Sequence, residues 1–180
     1  MKATGVVRRI DDLGRIVIPK EIRKSLKIRD GESLEIFVDN EEITLKKFSS
    51  SADLSIVSQA LLDTVYTAVR KNVFVTDRDK IIAGSGDLKK DFMGKELSSK
   101  MEEILLNCEK VKKSNVEINT IINDDGADDR KYNYIIEPIL ADGEIMGLVL
   151  MIDMVNNTFS QEDERLTLII AQFLGKYLEQ

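Results

Sequence analysis

Apolar and polar positions alternate in short runs over the first fifty residues. TGVVRRI (residues 4–10) is rich in β-branched side chains and predicts a strand, closed by a polar turn at Asp11, Asp12 and Gly14. RIVI (15–18) predicts a second short strand. Pro19 ends it and suits the first position of a helix, where its missing N–H costs nothing, so residues 20–27 predict about two helical turns. SLEIFV (33–38) alternates as a strand, DNEE (39–42) is a turn and ITLKKF (43–48) pairs back. A β-β-α-β-β module this short buries too little apolar surface to be comfortable alone, and its strands leave open edges. Strands from two chains completing one core are the simplest remedy, and that step would double whatever surface the module carries.

Beyond it, SSSAD (49–53) is small and polar and marks a domain boundary with a helix N-cap. Residues 54–70 predict a helix with one apolar stripe at Leu54, Val57, Leu61 and Val65 and a second at Leu62, Tyr66 and Val69, so it needs more than one neighbour. NVFVTD (72–77) and KIIAGSG (80–86) predict a hairpin across Arg78 and Asp79. Residues 88–112 predict a helix with Met101, Ile104, Leu105 and Cys108 on one face. Strands are expected at 115–123, 132–140 and 145–153, the last two joined at Ala141–Glu144. Ser160 and Asp163 are spaced as a capping box and open a final helix (160–179), whose broad apolar stripe runs from Leu166 to Leu178.

Charge changes the picture of the first module. The chain of 180 residues has a formal net charge of −6, yet residues 1–29 hold nine Lys/Arg against Asp11, Asp12 and Glu21, a balance of +6. A basic segment on an acidic body is a local polyanion-binding signal. At about 100° per residue, Lys20, Arg23, Lys24 and Lys27 fall within an arc of roughly 100° on the predicted helix, about 120° from Ile22 and Leu26, which are expected to point inward. Arg8, Arg9 and Arg15 come from the neighbouring strands, while Ile16, Val17 and Ile18 are assigned to a dimer core.

Candidate chemistry elsewhere is thin. There is no histidine, so histidine-based zinc sites and Ser-His or Cys-His catalysis fall away together. The single cysteine, Cys108, cannot form an internal disulfide and is expected to be a packing residue in a reducing cytoplasm. GSGDLKKDFMGKEL fails the phosphate-loop spacing, with Lys89 where glycine is needed and Glu96 where Ser/Thr is needed. NDDGADDR (123–130) lacks the calcium-loop spacing and reads as a solvated hairpin loop. No run approaches the length of a membrane span and the N-terminus has no signal-peptide pattern. No catalytic residue, metal or cofactor is expected, and an enzyme is not predicted.

MKATGVVRRIDDLGRIVIPKEIRKSL, continuing through GESLEIFVDNEEITLKKF, closely resembles the AbrB family of swapped-hairpin DNA-binding domains across residues 1–48 without a gap, and GRIVIPKEIRKSL is the motif that carries it. By pattern, the C-terminal 110 or so residues resemble a GAF domain. The resemblance implies an α+β protein: an AbrB-like swapped-hairpin β-barrel dimer (1–49), a linker helix (50–71), and a GAF-like antiparallel sheet flanked by helices (72–180) for sensing or oligomerisation. It implies a cytoplasmic, sequence-specific regulator of sporulation genes, activator or repressor, that binds double-stranded DNA and no membrane. The family's DNA-contacting arginines map onto Arg8, Arg15 and Arg23. Lys24 stands where relatives commonly carry arginine, and offers a point charge rather than a bidentate fork. Arg9, Lys20 and Lys27 join them as contacts or as background attraction to phosphate. Helices 54–70 and 160–179 from two subunits would bundle into a tetramer. A small-molecule ligand of unknown identity would use a pocket near Phe74, Ser85, Phe92, Tyr134 and Glu137. The alternative is an antitoxin-like DNA-binding autoregulator acting with a protein partner. Chains of that sort carry a disordered tail where this one has a patterned domain.

Overall fold

A computed structural model describes residues 5–26, 28, 30, 31, 33–40, 42–47, 51–124 and 129–179. They fall into two units, Met1–Ser49 and Ser50–Gln180.

In the first unit, the turn at Asp11 closes by the Gly14 N–H donating to the Asp11 carbonyl at 3.0 Å, with Gly14 at φ +77°. Helix α1 (Lys20–Ser25) follows Pro19, whose carbonyl accepts from Arg23 N–H at 3.0 Å. Strands β1 (Leu34–Asp39) and β2 (Glu42–Lys47) pair antiparallel, with Ile36 opposite Leu45 and Val38 opposite Ile43. That alternation puts four apolar residues on one face, as the pattern predicts, but all four are exposed. The strands expected at 4–10 and 15–18 are not formed among the described residues, and the unit is no closed barrel. The physical reason is pairing: a two-stranded ribbon is marginal in water, and these segments find no ladder partner among the described residues. Leu26, expected inward, is exposed for the same want of a neighbour, while Ile22 is half-buried.

In the second unit, helix α2 (Ser51–Val69) leads into strands β3 (Val73–Thr76) and β4 (Ile81–Ser85). Two short helices, α3 (Lys89–Phe92) and α4 (Ser99–Leu106), precede β5 (Val111–Glu117) and a 3-10 turn at Ile118–Thr120. Then come β6 (Lys131–Ala141), β7 (Glu144–Met154) and α5 (Gln161–Leu178). The sheet runs β4-β3-β7-β6-β5, antiparallel throughout. Strands β6 and β7 meet at Asp142 (φ +49°) and Gly143 (φ +78°), the two left-handed residues a tight hairpin turn requires.

The long helix expected at 88–112 is broken. Gly94 takes φ +77° after α3, and Ser98 starts α4 afresh by accepting from the Met101 N–H at 3.2 Å. Residues 111–117 are strand, not helix. The strand expected at 115–123 ends at Glu117, because Ile118, Ile121 and Ile122 all turn into the core instead of alternating. Met101, Ile104 and Leu105 pack inward as expected, whereas Cys108 sits exposed at φ +53° past the end of α4.

Each face of the sheet carries its own core. Phe74, Phe92, Met101, Tyr132, Tyr134, Leu148 and Leu150 pack on the α3–α4 side. Leu54, Leu62, Val73, Val149, Met151, Ile170 and Leu174 pack on the α2–α5 side. Burying a side chain of this size is worth roughly 1.5–3 kcal/mol, so both cores stabilise this unit with side chains of its own. Helix α2, expected as a linker, is therefore also a wall of the second unit. Helix α5 starts with the full capping box: Ser160 Oγ accepts from the Asp163 N–H and Asp163 Oδ2 accepts from the Ser160 N–H.

Candidate nucleic-acid interface

The basic residues of the first unit are delivered by three local devices. Arg8 and Arg9 lie in the irregular exposed segment before the turn. Arg15 closes the turn: its guanidinium Nε donates to Asp11 Oδ2 at 2.8 Å, and its backbone N–H donates to Asp11 Oδ1 at 2.7 Å. Lys20, Arg23 and Lys24 are carried by α1, with Arg23 Nη1 donating to Asp30 Oδ1 at 2.5 Å. Lys27 lies outside the described residues. Lys20 and Lys24 are exposed and Arg23 is half-buried. The Arg15 backbone N–H, then its guanidinium, hold the Asp11 carboxyl below its ordinary value.

Charge counting does not pair these arginines with Asp11 and Asp30. Asp11 was legible in principle, since an aspartate two residues before the apolar residue of a glycine turn commonly caps its own backbone. Asp30 reaches Arg23 only because the chain folds back after α1.

Chemistry in the second unit is structural where it is described. Phe74 and Phe92 stack at 5.2 Å, and Phe92 meets Tyr132 edge-on at 5.5 Å. Burial pushes the Tyr134 phenol up. Ser85 pairs with Val73 and Glu137 with Val149, so both face the α2–α5 side, opposite to Phe74, Phe92 and Tyr134. The five residues expected around one pocket are thus divided by the sheet. Glu137 Oε2 lies 3.1 Å from Lys110 Nζ. Among the described residues no cluster of three metal-ligating side chains occurs, and no helix is long and apolar enough to cross a membrane.

Comparison with known proteins decides the family. The profile described as "Stage V sporulation protein T C-terminal, transcription factor" matches residues 53–179. Stage V sporulation protein T of Bacillus subtilis (strain 168) is 39% identical over 181 residues, covering 100% of both chains. The chain belongs to the stage V sporulation protein T family. Within that family's two-part layout, residues 7–53 match the profile "Antidote-toxin recognition MazE, bacterial antitoxin". The N-terminal DNA recognition domain of the Bacillus subtilis transition-state regulator AbrB, a solution structure, is 55% identical over 27% of this chain and 92% of its own, with a TM-score of 0.24. The transition state regulatory protein AbrB of Bacillus subtilis (strain 168) is 42% identical over 73 residues, 41% of this chain and 76% of its own, and that relative places the first unit among AbrB-like domains. The GAF domain of an Acinetobacter phosphoenolpyruvate-protein phosphotransferase covers 68% of this chain and 80% of its own at 15% identity, with a TM-score of 0.53, and shows a shared GAF fold.

Proposed function

We infer that this chain is a DNA-binding transcription regulator of sporulation genes, contacting duplex DNA through its first unit and assembling through both units. The observation that carries this reading is a first unit without a core. None of its described residues is buried, and Val7, Val17, Ile36, Val38 and Ile43 stand well exposed. A second copy of the chain would cover them, bringing two sets of Arg8, Arg15, Arg23 and Lys24 across a two-fold axis suited to duplex DNA. Arg9, Lys20 and Lys27 would add phosphate attraction. Helices α2 and α5 retain a second apolar face, including Ile56, Ile169, Phe173 and Tyr177, for joining two such dimers into a tetramer.

The GAF-like unit would sense a small molecule or serve assembly alone. The setting would be cytoplasmic, and the role regulatory, not catalytic. A folded unit stands where an antitoxin-like chain would carry its tail, which favours the regulator over that alternative.

The test is a fluorescence-anisotropy salt titration on duplex DNA with wild type, Arg8→Ala, Arg15→Ala and Arg23→Ala. Eight charges per dimer on about six to eight phosphates give a log–log salt slope of about −5 to −7. Each variant is expected to bind more weakly with a shallower slope, at unchanged circular dichroism and unchanged mass by light scattering. A tetramer would scatter at about 82 kDa, four times the chain's 20.4 kDa. Undiminished binding by all three variants would move the contact surface elsewhere.

A further inference from the structure

We propose that Asp11 is a positioning residue for DNA recognition, fixing the Arg15 guanidinium by its Nε so that the end-on pair of terminal nitrogens is the face offered to DNA. This rests on Arg15 being a DNA contact. The two oxygens of Asp11 have separate tasks. Oδ1 accepts from the backbone N–H groups of Leu13 and Arg15 at 3.0 and 2.7 Å, which anchors the carboxylate to the turn. Oδ2 accepts from Arg15 Nε at 2.8 Å. The turn is closed again by the Asp11 N–H donating to the Arg15 carbonyl at 3.1 Å. Two backbone donors on one oxygen bias the carboxylate against swinging aside when phosphate arrives.

The choice of nitrogen is what matters. A guanidinium reads a guanine edge or a phosphate with two parallel donors, either side-on, using Nε, or end-on, using the two terminal nitrogens. Asp11 occupies Nε, so the side-on mode is closed. The terminal nitrogens have no protein partner among the described residues, on a side chain 70% exposed. Arg23 supplies the contrast. Asp30 holds it by the terminal nitrogen Nη1, and Asp30 itself is 93% exposed, with no backbone anchor among its described contacts. DNA would have to displace Asp30 from Arg23, whereas it could add to Arg15 with Asp11 still in place. Ordering the long Arg15 side chain in the free protein removes part of the entropy that binding would otherwise lose.

Asp11→Asn separates this role from turn structure. Asparagine keeps Oδ1 for the two backbone donors but has no second oxygen for Nε. Removing a negative charge should by itself tighten DNA binding. The proposal requires the opposite sign. The probe is a duplex enriched by the wild-type full-length chain from a random-core pool, with a scrambled duplex as control. Asp11→Asn is expected to bind the enriched duplex about five- to tenfold more weakly, the low end of what one well-aligned arginine contact discriminates, and to lose preference over the scrambled duplex. In an Arg15→Ala background the same substitution should weaken nothing. If Asp11→Asn fails to fold, Asp11→Ser serves in its place, since its single hydroxyl oxygen can accept from the turn's backbone N–H groups and leaves none for Nε; the same loss of preference is expected, and retained preference would overturn the proposal. Equal or tighter binding by Asp11→Asn, with Arg15→Ala weakened, would overturn the proposal and leave the interface intact. Equal weakening by Asp11→Asn with and without Arg15 would assign Asp11 a purely structural role. Unchanged binding by Arg15→Ala would take Arg15 out of the interface and overturn this proposal with it, while the interface reading would then rest on Arg8→Ala and Arg23→Ala.

Discussion

Val38 in the first unit and Val75 in the second are both strand valines on apolar faces, yet Val38 is 74% exposed and Val75 is fully buried. The difference does not come from their strands, since each alternates and pairs as a strand should. It comes from what lies over the face. Val75 has α2 and α5 above it, supplied by the same chain, whereas among the described residues of the first unit nothing covers the β1–β2 face. Apolar patterning states that a face will be buried; it does not say by whose side chains.

Truncation should separate the two units most sharply. Phe92→Ala opens a hole between Phe74 and Tyr132 and should cost about 3–5 kcal/mol by urea unfolding, at any protein concentration. Val38→Ala should cost about 1–2 kcal/mol if a second chain covers it, with a midpoint that shifts with concentration. A neutral Val38→Ala at every concentration would break the two-chain core. Hydrogen exchange on the full chain would show in which unit each loss falls.

Next in size is a backbone approach within the second unit. Gly175 lies on α5 where a Cβ would overlap the carbonyl oxygen of Leu140. Gly175→Ala should therefore push α5 off β6 and destabilise by about 1–3 kcal/mol, despite alanine's better helix propensity. An increase in melting temperature would show that α5 accommodates the shift.

The smallest expected effect contrasts two aspartates with lowered pKa. Burial works to raise the Asp163 carboxyl, but the Ser160 N–H and the Lys71 ammonium outweigh it and the net direction is down. A depressed folded pKa stabilises above the unfolded value and is lost as pH falls through the folded one. Between about pH 7 and about pH 3, wild type should lose about 0.5–2 kcal/mol more than Asp163→Asn, the range of a helix cap. Asp11, exposed in its turn, should show no comparable pH-linked stability, so equal losses at both positions would blur the distinction between the units.

Much of this was legible in the residues. Pro19 before a short basic helix, the Asp142-Gly143 turn and the Ser160–Asp163 box each act over four or five residues, and each forms where the pattern puts it. The break at Gly94 was not legible, because helix periodicity continues through residues 88–106 and only the bridge from Lys80 to Glu96 shows what interrupts it. The run 115–123 misled for a related reason: Ile121 and Ile122 are both buried, so neither a two-residue nor a helical period describes them.

The basic set was visible from charge and Asp11 from its place in the turn, while Asp30 emerged only with the fold. Asp30 lies seven residues from Arg23, a separation no local rule connects. By itself the sequence determined the local elements, the basic bias of the first 29 residues and the family, because short-range sterics, capping and charge count act along the chain. The tertiary structure decided which nitrogen of Arg15 and of Arg23 is occupied, that the GAF-like sheet divides the expected pocket residues between two cores, and that none of the first unit's described residues is buried. Those are properties of faces meeting across the fold, and a linear pattern records only that a face exists.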